Sequence, residues 1–77
     1  MSMHEMVYRL KPSRLIVLKE TLSSAAVAHE IGGNPREVFR RAKHAACVGI
    51  EKKLYTQLEA ADSKQLDALS NVVCKEF

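Results

Sequence analysis

At 77 residues the chain has room for one small domain, 1–77, and at that length folding buries only about 60% of the surface the unfolded form exposes. An apolar share of 47% excludes a disordered tail, and the scarcity of aromatics (two Phe, two Tyr, no Trp) favours closely packed helices over a β-sandwich. Two cysteines without a C-x-x-C pair and without a signal-peptide pattern exclude a disulfide scaffold, and the longest apolar run, Leu15 to Leu18, is far short of the ~18 residues of a membrane span.

The net charge is +3, but its distribution says more than its total. Residues 1–44 carry eight Lys/Arg against four Asp/Glu, and residues 45–77 carry four against five. Four of the eight early cations fall between Arg36 and Lys43. A local basic patch beside a near-neutral half fits a polyanion-binding face joined to a packing or assembly region; a plain solvated helix face fits the charge equally well.

In chain order, residues 1–11 are compatible with a short helix or an extended arm, interrupted by Pro12. From Pro12 a helix is expected, with proline in the first turn where its missing N–H costs nothing. Leu15, Leu18 and Leu22 share a face, widened by Ile16 and Val17. Ser23 or Ser24 then supplies an N-cap for a second helix, Ala25 to Ile31, which Gly32-Gly33 stops. Asn34, Pro35 and Glu37 form the clearest start signal in the sequence, a capping box opening the next helix. A helical apolar period runs on through Phe39, Ala42, Ala46, Ile50, Leu54, Leu58 and Ala61, with Gly49 placed to kink or divide it near Cys47–Ile50. A last helix starts at Asp62 or Ser63, with Gln65 as the reciprocal capping partner of Asp62 and Leu66, Leu69, Val72 or Val73, and Phe77 as its apolar face. The expected fold is all-α: a small bundle of four to five helices.

Between Ser24 and Lys43 the residue types follow a pattern with steric content: Val27-Ala28, then Gly32, Asn34, Val38 and Arg40. A small residue at Ala28 lets a second helix cross closely, Gly32 turns the chain through a left-handed conformation, and Asn34 caps that second helix. Val27, Ile31 and Val38 are expected to pin the two helices. This segment resembles the DNA-binding helix-turn-helix of bacterial and phage repressors, in which the lactose-repressor family has the same order of Val-Ala, Gly, small polar cap, Val, x, Arg. Gly33 and Arg41 depart from that pattern at positions usually apolar, so Phe39 and Ala42 are expected to close the core instead.

The resemblance implies roles. Asn34, Pro35, Arg36, Phe39 and Arg40 are placed to reach base edges in the major groove, although Phe39 also suits the core. Ser23, Ser24, Arg41, Lys43 and His44 are the phosphate candidates, with Lys11 and Arg14 as possible additions. Residues 45–77 would support the motif or pair two copies, with the apolar stripe from Ile50 to Ala61 and the last helix, Leu66 to Phe77, offered either to a homodimer or to the core. The expected function is that of a cytoplasmic, sequence-specific regulator of bacterial, plasmid or phage DNA, with an all-helical protein–protein interaction module as the alternative. His44 and Cys47, at i and i+3, are the only pair with zinc-like spacing, and with no second pair nearby neither a metal nor any other cofactor is expected. Scattered acids without a phosphate loop suggest neither an enzyme nor a small-molecule substrate. Cys47 and Cys74 are expected to be buried or partly buried free thiols, and Tyr8 and Tyr55 half-buried helix residues.

Overall fold

A computed structural model describes residues 2–46 and 49–77. Those residues form an all-α bundle of five helices: α1 (Met3–Tyr8), α2 (Pro12–Glu30), α3 (Pro35–Ala45), α4 (Gly49–Ala60) and α5 (Ser63–Glu76). Among the described residues, no helix is long and apolar enough to cross a membrane.

Within the N-terminal stretch that is ambiguous in sequence, Met3–Tyr8 settle as a helix. The Ser2 side chain accepts from the Glu5 N–H at its start, and Met6 and Val7 are drawn into the core. Pro12 begins α2 as expected, but α2 does not stop at the serine pair. Ser23 and Ser24 are exposed residues inside one continuous helix of 19 residues. Their capping preference is a local one, and nothing with the breaking power of Gly or Pro accompanies it. Continuing the helix keeps Leu18, Leu22 and Ala25 on one buried face, and that tertiary gain decides.

The stop comes at the glycines. Gly32 adopts φ +78, its N–H donates to the His29 carbonyl, and the Gly33 N–H donates to the Ala28 carbonyl at 2.7 Å, the paired bonds of a Schellman end. A Cβ on Gly33 would lie 3.2 Å from that same Ala28 carbonyl oxygen, so the second glycine is needed for room rather than for its φ.

The long period from Phe39 to Ala61 belongs to two helices. Helix α3 ends at Ala45, Ala46 is extended, and α4 starts at Gly49. This division lets Leu54, Tyr55 and Leu58 turn back toward Phe39, and α4 packs more extensively on α3 than on any other helix. The α5 start follows the sequence closely: Asp62 accepts from the Gln65 N–H at 2.8 Å, and the Gln65 side chain accepts from the Asp62 N–H at 3.1 Å.

One cluster joins all five helices: Met6 and Val7 from α1, Leu18 and Leu22 from α2, Phe39 from α3, Leu54 and Leu58 from α4, Leu69 and Val73 from α5. The stripes of α4 and α5 offered to a second copy are therefore spent inside this chain. Leu54, Leu58, Leu69 and Val73 are buried, Ile50 and Leu66 are packed against them, and Phe77 sits edge-on to Tyr8 with ring centroids 5.4 Å apart. Tyr8 is exposed rather than half-buried, its hydroxyl donating to Glu76, and Tyr55 is wholly buried.

A buried ion pair crosses this core. Glu51, in the first turn of α4 and not singled out by the sequence, is wholly buried. Arg14 of α2 holds it with both Nε (2.9 and 3.0 Å) and Nη2 (2.6 Å), so Arg14 is not part of an open basic surface. Cys74 is exposed, contrary to expectation; the reading of Cys47 as a buried thiol lies outside the described residues.

Candidate nucleic-acid interface

Helix α3 carries the densest group of cations in the chain, and its periodicity sorts them. Phe39 is wholly buried, with Pro35, Val38, Ala42 and Lys43 half-buried around it. Arg36, Arg40, Arg41 and His44 are exposed. At about 100° per residue, Arg41 and His44 lie on the side turned away from Phe39, and Arg40 and Arg36, one turn apart, lie at the flank. The helix is strongly amphipathic, with an apolar edge toward α2 and α4 and a basic edge toward solvent.

The start of α3 fixes where this edge begins. The Asn34 side chain accepts from the Arg36 N–H at 3.0 Å, and Pro35 occupies the first turn. The capping box is only half made. The Glu37 carboxylate turns away from Asn34 and accepts from Arg40 Nη2 at 2.9 Å. Lys43, at the other end, donates to Glu59 of α4 at 2.8 Å. Arg36 and Arg41 have no ion pair among the described residues.

Two concavities flank the N-terminal end of α3. A shallow, polar one of about 630 Å³ lies between α3 and α4, lined by Arg36, Glu37, Arg40, Thr56, Glu59 and Ala60. A groove of about 350 Å³ lies on the other side, floored by Leu22, Ala25, Phe39, Leu58 and Leu66, with Arg36, Glu30 and Asp67 on its lips. Among the described residues, no group of three or more His, Cys, Asp or Glu is placed to hold a metal ion; the His44–Cys47 pair falls partly outside them.

Of the five residues read as base-contacting, Asn34, Arg36 and Arg40 are exposed and Pro35 is half-buried. Phe39 is not available: it anchors α3 to the core, and exposing it would open the bundle. Of the phosphate candidates, Arg41 and His44 are exposed and Lys43 is half-buried in its bond to Glu59. Ser23 and Ser24 are exposed but lie inside α2, so they have hydroxyls and no helix-start N–H groups to offer a phosphate.

The motif core needs the largest correction. Gly32 turns the chain as expected, and Ala28 and Val38 are half-buried. Val27 and Ile31 are 55% and 78% exposed, so they do not pin α3. Helix α2 meets the core through Leu18, Leu22 and Ala25, about half a turn round from Val27, and the repressor-like spacing is not matched by repressor-like packing.

Sequence reasoning passed over part of this face. Thr56 and Ala60 of α4 line the polar concavity with Arg36 and Arg40, and Lys52 and Lys53 are exposed one turn before Thr56 on the same side of the helix. The signal was the spacing of Lys52, Thr56 and Ala60 at i, i+4 and i+8, hidden by the near-neutral total of residues 45–77. Comparison with family models, curated proteins and solved structures finds no match, so the functional reading stands on the chemistry of this face.

Proposed function

We propose that the chain binds double-stranded DNA as a small sequence-specific regulator, laying the basic edge of α3 against the major groove. The observation that carries the reading is the exposed set Arg36, Arg40, Arg41 and His44 on one helix, extended by Lys52 and Lys53 of α4. It does not depend on repressor-type packing of α2 against α3.

Arg36 and Arg40, one turn apart, are the residues for guanine O6/N7, each worth about 1–3 kcal/mol of discrimination. Arg40 must leave Glu37 to do so. That pair is solvent-exposed and worth only ~0–1 kcal/mol, so the exchange is cheap. Arg41, Lys43, Lys52 and Lys53 supply the sequence-independent phosphate contacts. Arg36→Ala or Arg40→Ala is expected to erode preference among duplexes, whereas Lys52→Ala weakens all duplexes alike and lowers the salt slope by about one unit.

The apolar groove between α2, α3, α4 and α5 favours a second reading, an interaction module that takes a partner's apolar side chains. A fluorescence-anisotropy titration with random-sequence duplex separates the two. Salt-sensitive binding lost on Arg40→Ala/Arg41→Ala supports the DNA reading, and absence of binding at low salt removes it.

A further inference from the structure

Two cations of the basic face are held by carboxylates, and the two pairs differ. Arg40 and Glu37 are neighbours on one helix, 58% and 46% exposed, a pair that water screens. Lys43 and Glu59 are 31% and 20% exposed and reach from α3 to α4 at 2.8 Å, so theirs is the better shielded contact and the harder to separate. Glu59 also lines the polar concavity with Arg36, Arg40 and Thr56, which puts it among the groups assigned to DNA.

Neither helix gains much from this pair on its own account. Glu59 stands in the last turn of α4, where the negative end of the helix dipole disfavours an acid. Lys43 stands in the last turn of α3, where a cation is favourable without a partner. The tie between α3 and α4 rests on buried apolar surface, through Phe39, Leu54, Tyr55 and Leu58. What the Glu59 carboxylate does is occupy the ammonium that a DNA phosphate would take. We propose that Glu59 is a built-in brake on DNA binding, an intramolecular stand-in for phosphate on Lys43.

This inference rests on the DNA reading and adds a restraint to it. A lysine ammonium has three N–H donors but a single charge, and a carboxylate and a phosphate gathered on it repel each other. An arriving phosphate must displace Glu59 or share Lys43 with it, and either way a poorly compensated carboxylate is left beside the DNA. Contacts to phosphate carry no sequence information, so the brake acts on every duplex alike and leaves the discrimination assigned to Arg36 and Arg40 untouched. It holds down the indiscriminate binding that a basic chain of net charge +3 is prone to.

The test is fluorescence anisotropy of the intact chain on one random-sequence duplex at about 100 mM salt, where charges more than ~10 Å from the DNA are largely screened. Glu59→Gln keeps the size and the acceptor of the side chain, so its circular-dichroism spectrum is expected to match wild type. It is expected to bind about three- to tenfold tighter. Glu20→Gln makes the same change in net charge at an exposed position of α2 with no ion pair among the described residues, and is expected to gain less than about twofold. In a Lys43→Gln background the gain from Glu59→Gln is expected to fall to the Glu20→Gln level, because the brake works through Lys43. A wild type that binds while Glu59→Gln is no tighter than Glu20→Gln overturns the brake and leaves the DNA reading standing. A full gain that persists without Lys43 does the same. If neither wild type nor Glu59→Gln binds even at about 50 mM salt, the DNA reading falls and the brake with it.

Discussion

The Arg14–Glu51 pair gives a quantitative test of how this bundle is held. Glu51 is wholly buried, and its carboxylate takes three short bonds from an Arg14 side chain that is 25% exposed. Arg14→Met strands the carboxylate without a counterion, a change that costs about 3–5 kcal/mol where both partners are buried. Solvent access on the Arg14 side lowers this to about 2–4 kcal/mol. For 77 residues, whole-domain stability is about 4–12 kcal/mol at roughly 0.05–0.15 kcal/mol per residue, so the single change removes a large part of it. Replacing both partners, as Arg14→Met/Glu51→Leu, removes the stranded charge with its cause and returns stability to within ~1 kcal/mol of wild type or above it. Urea denaturation followed by circular dichroism at neutral pH reads both values. An Arg14→Met midpoint equal to wild type, or a double variant as unstable as the two singles summed, refutes the reasoning.

Two further predictions concern backbone and burial. Gly32→Ala forces a side chain into φ +78 and is expected to lose about 1–2 kcal/mol, while a Cβ on Gly49 meets nothing within 4 Å, so Gly49→Ala is neutral or stabilising by up to ~1 kcal/mol; thermal melts of the two rank them. The Tyr55 hydroxyl is buried beside Thr21 and Glu51 without closing a hydrogen bond, and burial pushes its phenol above the usual 10.0. Since the unfolded chain ionises first, the stability this group contributes is complete below about pH 10 and is lost as pH rises beyond it. Tyr55→Phe is expected to be neutral or stabilising by ~1–2 kcal/mol at neutral pH and to flatten the alkaline loss of stability. Equal alkaline slopes in the two proteins would contradict this.

What the sequence made legible was local. Pro12, Asn34, the Asp62–Gln65 box and the Gly32 turn each act within a few residues, and each is found where it was read. What it hid was which side of α2 the bundle would choose. Val27 and Ile31 have the right types for a pinned helix pair, but the continuous α2 turns Leu18, Leu22 and Ala25 inward and leaves them outside. Glu51 reads as a first-turn acid until Arg14, 37 positions away, is seen to hold it. On the candidate site, the cationic run was visible as composition and Phe39 was recognised as suited to the core. The contribution of Lys52 and Lys53 depends on how α4 folds back along α3, which no local pattern encodes.

The central claim, that the outer edge of α3 is a DNA-binding surface, is tested most directly by anisotropy of the wild-type chain on duplex DNA at two salt concentrations. With Arg41, Lys43, Lys52 and Lys53 each displacing one counterion, affinity is predicted to fall roughly 10²-fold between about 50 and 200 mM salt. An affinity that ignores salt, or no binding at the lower concentration, would contradict it.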